Sequence, residues 1–213
     1  MQAVEINTGP NPQASVLWLH GLGADGHDFE PIVPELDLDQ PVRFVFPHAP
    51  VRPVTINQGM RMRAWYDILQ FGPGPEDEAG VRASQQLVEA MIAAEKARGI
   101  GAIVLAGFSQ GGAIVLQTAL RHRERLAGVL ALSTYLPLHK TLEAERSPEN
   151  RDVPIFMAHG QHDDIIPLVR AEQSRQFLER LGYKLQWHTY PMPHSVCPEE
   201  IAEISAFLRR ILP

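Results

Sequence analysis

Ser109 stands in Gly107-Phe108-Ser109-Gln110-Gly111, followed at once by Gly112. An apolar run from Ala102 to Phe108 leads into this G-x-S-x-G pattern, and GGAIVLQTALRH leads out with helical character. A strand, a sharp turn and a helix in that order hold a serine hydroxyl at the end of a strand, where it can attack a carbonyl carbon. The helix N-terminus beside it offers unpaired N–H groups to developing negative charge. Glycines on either side let the backbones pass closely. A serine that only caps a helix after a glycine turn is the plainer reading; the strand–turn–helix setting favours the nucleophile.

A serine hydroxyl needs a positioned base near neutral pH. In this arrangement the partners follow in the order Ser, acid, His, each on a loop after a later strand. His188 falls inside the alternating run LQWHTYP, whereas His194 lies beyond it in PMPHS, just before a helix that starts near Pro198. A loop at the carboxyl edge of a sheet can reach Ser109 and a mid-strand side chain generally cannot, so His194 is the expected base. The acid should follow PIFMAHG, where Gln161-His162-Asp163-Asp164 occurs. Spacing scarcely separates the two aspartates, with position leaning to Asp163. The same stretch, His159-x-x-His162-Asp163-Asp164, holds metal-ligand residue types. Catalytic zinc needs three convergent ligands, and these lie on a turn without ligand periodicity, so no metal is expected. His20-Gly21-Leu22-Gly23 follows the apolar run SVLWL, and its Leu22 amide together with that of Gln110 is expected to form an oxyanion hole. HGLG alone is an ordinary glycine turn; GFSQGG downstream gives it weight.

These residues need a sheet whose strand ends converge. SVLWLH, VRFVFP, AIVLAGF, LAGVLALS, PIFMAHG and LQWHTYP read as strands. The runs Ala102 to Phe108 and Leu126 to Leu132 are almost continuously apolar, as strands covered on both faces are. Helical spacing of Val81, Leu87, Val88, Met91 and Ile92 predicts a helix from about Glu78 to Ala97, with others starting near Gln110, Leu168 and Pro198, the one from Leu168 stopping at Gly182. Alternation of this kind predicts an α/β fold on a mostly parallel sheet. Pro50 to Pro75 and Thr134 to Pro148 read as long irregular connections, the first carrying WYDI; such loops are often functional. No linker or repeat divides the chain, so residues 1–213 read as one domain.

The 213 residues suffice to bury a core without disulfides or metals. A net charge of −6 with scattered basic residues argues against a nucleic-acid partner or a polybasic membrane patch. Cys197 is the single cysteine, which precludes an internal disulfide and reads as a small buried side chain. The N-terminal MQAVEINTGPNP lacks the features of a signal peptide, and no apolar run spans a membrane, so the expected compartment is the cytosol. Trp65, Tyr66 and Met192 read as packing residues. Apolar loops around the site leave room for a homodimer.

Taken together, HGLG, FPHAPVRPVT, WYDI, GFSQGG, HGxxDxxIP and the closing HS resemble the carboxylesterase and acyl-protein thioesterase (phospholipase/carboxylesterase) family. The match keeps its order over essentially the whole chain and is nearer to bacterial carboxylesterases than to eukaryotic acyl-protein thioesterases. The resemblance implies an α/β-hydrolase fold with helices flanking a mostly parallel sheet and no large cap domain. It assigns the acid to Asp163, the fourth residue after the histidine of HGxxD, with Ser109 as nucleophile, His194 as base, and Leu22 and Gln110 as oxyanion donors. It also implies an acyl channel lined by Leu22, Ile68, Leu69, Tyr135, Leu136 and Ile165, Tyr135 standing where relatives often have tryptophan. The expected activity is that of a cofactor-independent serine carboxylesterase on short- to medium-chain esters, working through a Ser-Asp-His triad and an acyl-enzyme. The alternatives are an acyl-protein thioesterase or lysophospholipase with the same triad, and a non-catalytic ligand-binding relative, although such relatives typically lack a triad member.

Overall fold

A computed structural model describes residues 1–70, 72 and 74–213. Phe71 and Pro73, within the segment read as irregular, lie outside the described residues. Seven strands form one sheet in the order β1-β3-β2-β6-β7-β8-β9. They are β1 (Ala3–Asn7), β2 (Ala14–Leu19), β3 (Val42–Pro47), β6 (Ala102–Phe108), β7 (Gly128–Leu132), β8 (Ile155–Gly160) and β9 (Leu185–Tyr190). All neighbours run parallel except β1, which pairs antiparallel with β3 at the edge. A separate hairpin joins β4 (Val51–Val54) to β5 (Met60–Arg63). The expected α/β class and parallel sheet are found, and all six expected strands are present.

Strand periodicity sorts the core onto two faces. Leu17, Leu105, Val129 and Met157 point to one face, where α1 (Glu78–Ala97), α2 (Gln110–Ala119) and α4 (Leu168–Arg180) contribute Ile92, Ile114 and Leu178. Val16, Val104, Leu130 and Phe156 point to the other, against Phe207 and Leu208 of α5 (Pro198–Ile211). Every residue of α2 is buried, which matches its lack of a polar stripe. Asp77 caps α1 by accepting the Gly80 N–H, and Val81, Val88 and Ile92 form its buried edge. Gly182, at φ 90°, ends α4 as expected.

An edge strand, a hairpin and a short helix were not anticipated. The edge strand β1 is only half-buried. The β4–β5 hairpin occupies part of the stretch expected to be irregular, its Pro53 and arginines hiding the strand pattern. The short α3 (His139–Glu145) lies in the second such stretch with Leu142 as its one buried residue. Charge rather than apolar area anchors α3. Arg121 Nε donates to Glu145 Oε2 at 2.6 Å and Arg82 Nη2 to Oε1 at 2.7 Å. Burial opposes ionisation of Glu145, but these bonds and one from Thr141 outweigh it and hold the carboxyl down at about 2.

Register brings the loops of the sheet to one level. Leu19 lies opposite Gly107, Phe108 opposite Leu132, and Gly160 opposite Tyr190. The segments after β2, β6, β7, β8 and β9 therefore leave from the same carboxyl edge.

Glu200, in the first turn of α5, is fully buried, and neither carboxyl oxygen has a well-formed hydrogen bond. Burial pushes it up to about 8 from 4.5, the Cys197 backbone only partly offsetting this. Between those values the folded chain keeps a proton that the unfolded chain releases, so stability falls as pH rises through the window. Glu200→Gln is expected to leave stability near pH 4.5 little changed and to raise it by about 4 kcal/mol at pH 8.5. Urea denaturation of both proteins at the two pH values checks this.

Candidate active site

Ser109 occupies the turn between β6 and α2 with φ 55° and ψ −120°, a strained conformation for a residue with a Cβ. Its N–H donates to Leu132 O at 2.9 Å, and its carbonyl accepts from Ala113 N at 3.1 Å and Thr134 Oγ1 at 2.6 Å. The turn is crowded: a Cβ on Gly107 would lie 2.5 Å from the Gly111 carbonyl carbon, and one on Gly111 would lie 2.6 Å from His20 O. Backbone fills the space where side chains would go, so these positions require glycine.

The HGLG segment lies against this turn, since a side chain at Gly21 would touch Ser109 Cβ at 3.4 Å. Among the described residues neither the Leu22 nor the Gln110 N–H has a protein acceptor. His20 fixes the segment. Its Nε2 accepts the Ala49 N–H at 3.1 Å, so the proton sits on Nδ1 and is given to Gly21 O at 2.7 Å. Burial lowers its pKa and favours this neutral form. Trp65 Nε1 donates to His20 O at 2.9 Å, and Trp65 N–H donates to Gln110 Oε1 at 2.7 Å. Gln110 Nε2 donates in turn to Tyr66 O at 2.7 Å. Trp65 and Tyr66 are buried packing residues as expected, and they also tie the HGLG loop to Gln110.

At the far side, Asp163 Oδ2 accepts from His194 Nδ1 at 2.6 Å. Its Oδ1 accepts the N–H groups of Ile165 at 3.0 Å and Ile166 at 2.8 Å. Asp163 is buried, whereas Asp164, the other aspartate in this loop, is exposed. His194 is half-buried, with its ring 4.7 Å from the Phe108 ring centroid. Its loop is folded against Gly160, and Met192 is buried beside it. The ring contact with Phe108 places His194 against the residue before Ser109, and among the described residues no hydrogen bond joins the Ser109 and His194 side chains. His188 instead stacks on Phe156 at 4.9 Å.

His159 turns inward. Its Nε2–H donates to Ile166 O at 2.8 Å and sits 3.3 Å from Asp163 Oδ2, while His162 is exposed. Burial lowers the His159 pKa. His20, His159, Thr134 and the Gln110 side chain were not anticipated in these roles. One signal was available: His20 and His159 each precede a glycine at the carboxyl end of an apolar strand.

Of the residues implied for an acyl channel, Tyr135 and Leu136 are buried, Leu22 and Ile68 are half-buried, and Leu69 and Ile165 are exposed. Cys197 is half-buried at the start of α5 rather than fully enclosed, and burial pushes its thiol up.

The sequence matches the phospholipase/carboxylesterase family over residues 2–212. The chain belongs to this family. It is a carboxylic ester or thioester hydrolase with the α/β-hydrolase fold, as the motifs led us to expect. Acyl-protein thioesterase 1 of Gibberella zeae is 42% identical over 214 residues, 94% of this chain and 91% of that protein. The protein of the same name from Mycosarcoma maydis is 40% identical over 99% of this chain and 96% of its own. Among solved structures, Arabidopsis thaliana SOBER1 superposes with a TM-score of 0.90 at 31% identity, covering 94% of this chain and 99% of that one. Zea mays acyl-protein thioesterase 2 gives 0.88 at 27% identity, with full coverage of both chains.

Gly111→Ala is expected to cost about 3 kcal/mol or more, because the new methyl group meets two strand-end carbonyls. Gly101→Ala, whose Cβ would have only Gln13 O at 4.0 Å, is expected to stay within about 0.5 kcal/mol. Thermal unfolding of the two variants tests the contrast.

Proposed function

We propose that this hydrolase is an acyl-thioesterase that also cleaves oxygen esters, with Ser109 as nucleophile, His194 as general base and Asp163 as its orienting acid. The observation that carries the mechanism is the 2.6 Å bond from His194 Nδ1 to the buried Asp163. That bond holds the proton on Nδ1 and leaves the Nε2 lone pair for the serine hydroxyl. His194 takes the Ser109 proton as the oxygen attacks the acyl carbon. The unpaired Leu22 and Gln110 amides receive the oxyanion, and the imidazolium then protonates the leaving thiol or alcohol. Water repeats the sequence in reverse roles to release the acid. No cofactor enters these steps.

The names of the relatives support a thioesterase reading better than that of a short- to medium-chain carboxylesterase. Exposed Leu69 and Ile165, the latter two residues from Asp163, add support for an acyl chain of some length at the mouth. We assign the acyl chain to Leu22, Ile68, Leu69, Tyr135, Leu136 and Ile165, and the substrate class to S-acylated protein or peptide. A lysophospholipid, which offers the same acyl group on an oxygen, is the second reading. Among the described residues no helix is long and apolar enough to cross a membrane. We propose one catalytic domain working in the cytosol.

Ser109→Ala is expected to lower kcat on an S-palmitoyl peptide and on p-nitrophenyl esters by about 10³-fold or more. Asp163→Asn should approach that loss, whereas Asp164→Asn should stay within about twofold. Equal losses in the two aspartate variants would remove Asp163 from its role. A kcat/KM on p-nitrophenyl butyrate far above that on the S-palmitoyl peptide would return the carboxylesterase reading to first place.

A further inference from the structure

Tyr66 and Tyr135 are 69 residues apart in sequence, yet their hydroxyls meet at 2.7 Å. Both side chains are buried, and Arg170 covers the Tyr135 ring with its guanidinium carbon 3.3 Å from the centroid. Each residue is also joined, through its own backbone or its neighbour, to the serine turn. Gln110 Nε2 donates to the Tyr66 carbonyl, and Thr134, next to Tyr135, donates through Oγ1 to the Ser109 carbonyl. Ser109 and Gln110 are themselves consecutive. The bonds therefore close a ring that runs from Gln110 to Tyr66, across the two hydroxyls to Tyr135, then through Thr134 to Ser109 and back to Gln110.

We propose that the Tyr66–Tyr135 hydroxyl pair is a positioning device, closing this ring so that the Ser109 oxygen and the Gln110 amide keep their relative placement during attack. This rests on the roles proposed above for Ser109 and Gln110. A ring constrains where an open chain of bonds does not. With the hydroxyl link in place, the WYDI segment and the loop after β7 cannot separate without breaking a buried hydrogen bond. Tyr66 packing and Tyr135 as a channel wall, the roles expected from the sequence, need the rings but not the hydroxyls. Burial raises both phenols above their ordinary value, so the link joins neutral hydroxyls throughout the working pH range. Removing either hydroxyl leaves the other buried without its partner.

The test uses the full chain with Tyr66→Phe, Tyr135→Phe, the double variant and Ser109→Ala. Phenylalanine keeps the ring and its packing. Measurements are kcat and KM on p-nitrophenyl esters of several chain lengths, the inhibition constant of an alkyl trifluoromethyl ketone, and the thermal midpoint. Positioning predicts a kcat about tenfold lower in each single variant with KM within about twofold. It also predicts that the ketone, which forms a tetrahedral adduct on serine, binds more weakly in parallel with the loss in kcat/KM. The double variant should lose no more than either single one, because all three break the same link. Unchanged kcat, or a lowered thermal midpoint with intact kcat, overturns the proposal. So does a shifted chain-length preference with kcat preserved, which assigns the hydroxyls to the channel wall alone. Activity retained in Ser109→Ala overturns the underlying mechanism instead, a result separate from anything the tyrosine variants show.

Discussion

The arrangement depends on the backbone at Ser109. Holding a non-glycine residue at φ 55° costs about 1–3 kcal/mol and must be stabilised by what surrounds it. Here the surroundings are other backbones. Gly111 lies against the carbonyls of Leu19 and His20, and Gly107 lies against Gly111 and Gly112, so β2 and the start of α2 lock the turn from two sides. The Ser109 N–H and carbonyl are both bound, to β7 and to α2 and Thr134 respectively. A turn pinned in this way leaves the hydroxyl as the group with freedom to react. The same crowding brings the HGLG segment within contact of Ser109.

The buried polar groups that bear on the fold and the site fall into three kinds. Asp163 is enclosed but supplied with donors: two backbone N–H groups on one oxygen, His194 on the other and His159 close by. A buried carboxyl so provided has its hydrogen-bonding capacity met inside the fold. Glu200 is enclosed without comparable donors and is pushed up to about 8, retaining its proton near neutrality. The difference lies in the local chain. Asp163 sits in a tight loop whose following amides turn back toward it, whereas Glu200 sits in a helix facing an apolar layer. His20 and His159 are a third case, kept neutral by burial so that each ring has one fixed donor nitrogen. These two histidines orient the loops on which Leu22 and Asp163 lie.

The legible parts of the sequence were those whose environment is uniform. Strands such as Ala102–Phe108 are covered on both faces, so their apolar residues run on without interruption and announce a parallel sheet. The order of Ser109, Asp163 and His194 followed from topology, because each must leave a strand at the same edge. Elements covered on one side only were missed: β1 alternates at the edge, and α3 is held by Arg82 and Arg121 from elsewhere in the chain. Asp163 and Asp164 could not be told apart by spacing, since the choice depends on which carboxyl the loop turns inward; the family resemblance, not periodicity, separated them. The Gln110 clamp on Trp65 and Tyr66 links residues some 45 apart, and nothing local in either segment signals it.

The division between rigid and variable parts bears on why ester and thioester readings share one site. In the proposed mechanism the steps at the acyl carbon use the serine, the two amides and the histidine, all held by strand ends, and they are the same for both substrates. The leaving groups differ more. A thiol has a pKa near 8.5 and departs with little help, whereas an alcohol needs a proton delivered as the bond breaks. A site able to protonate an alcohol can therefore release a thiol as well, and the acid–base machinery alone imposes no preference. On the proposed assignment, discrimination falls to the segments given to the acyl chain and the leaving group, the WYDI stretch and the loops after β7 and β8. Those are the segments with exposed Leu69 and Ile165 and with the least regular sequence patterns, so substrate choice is written where the sequence is hardest to read.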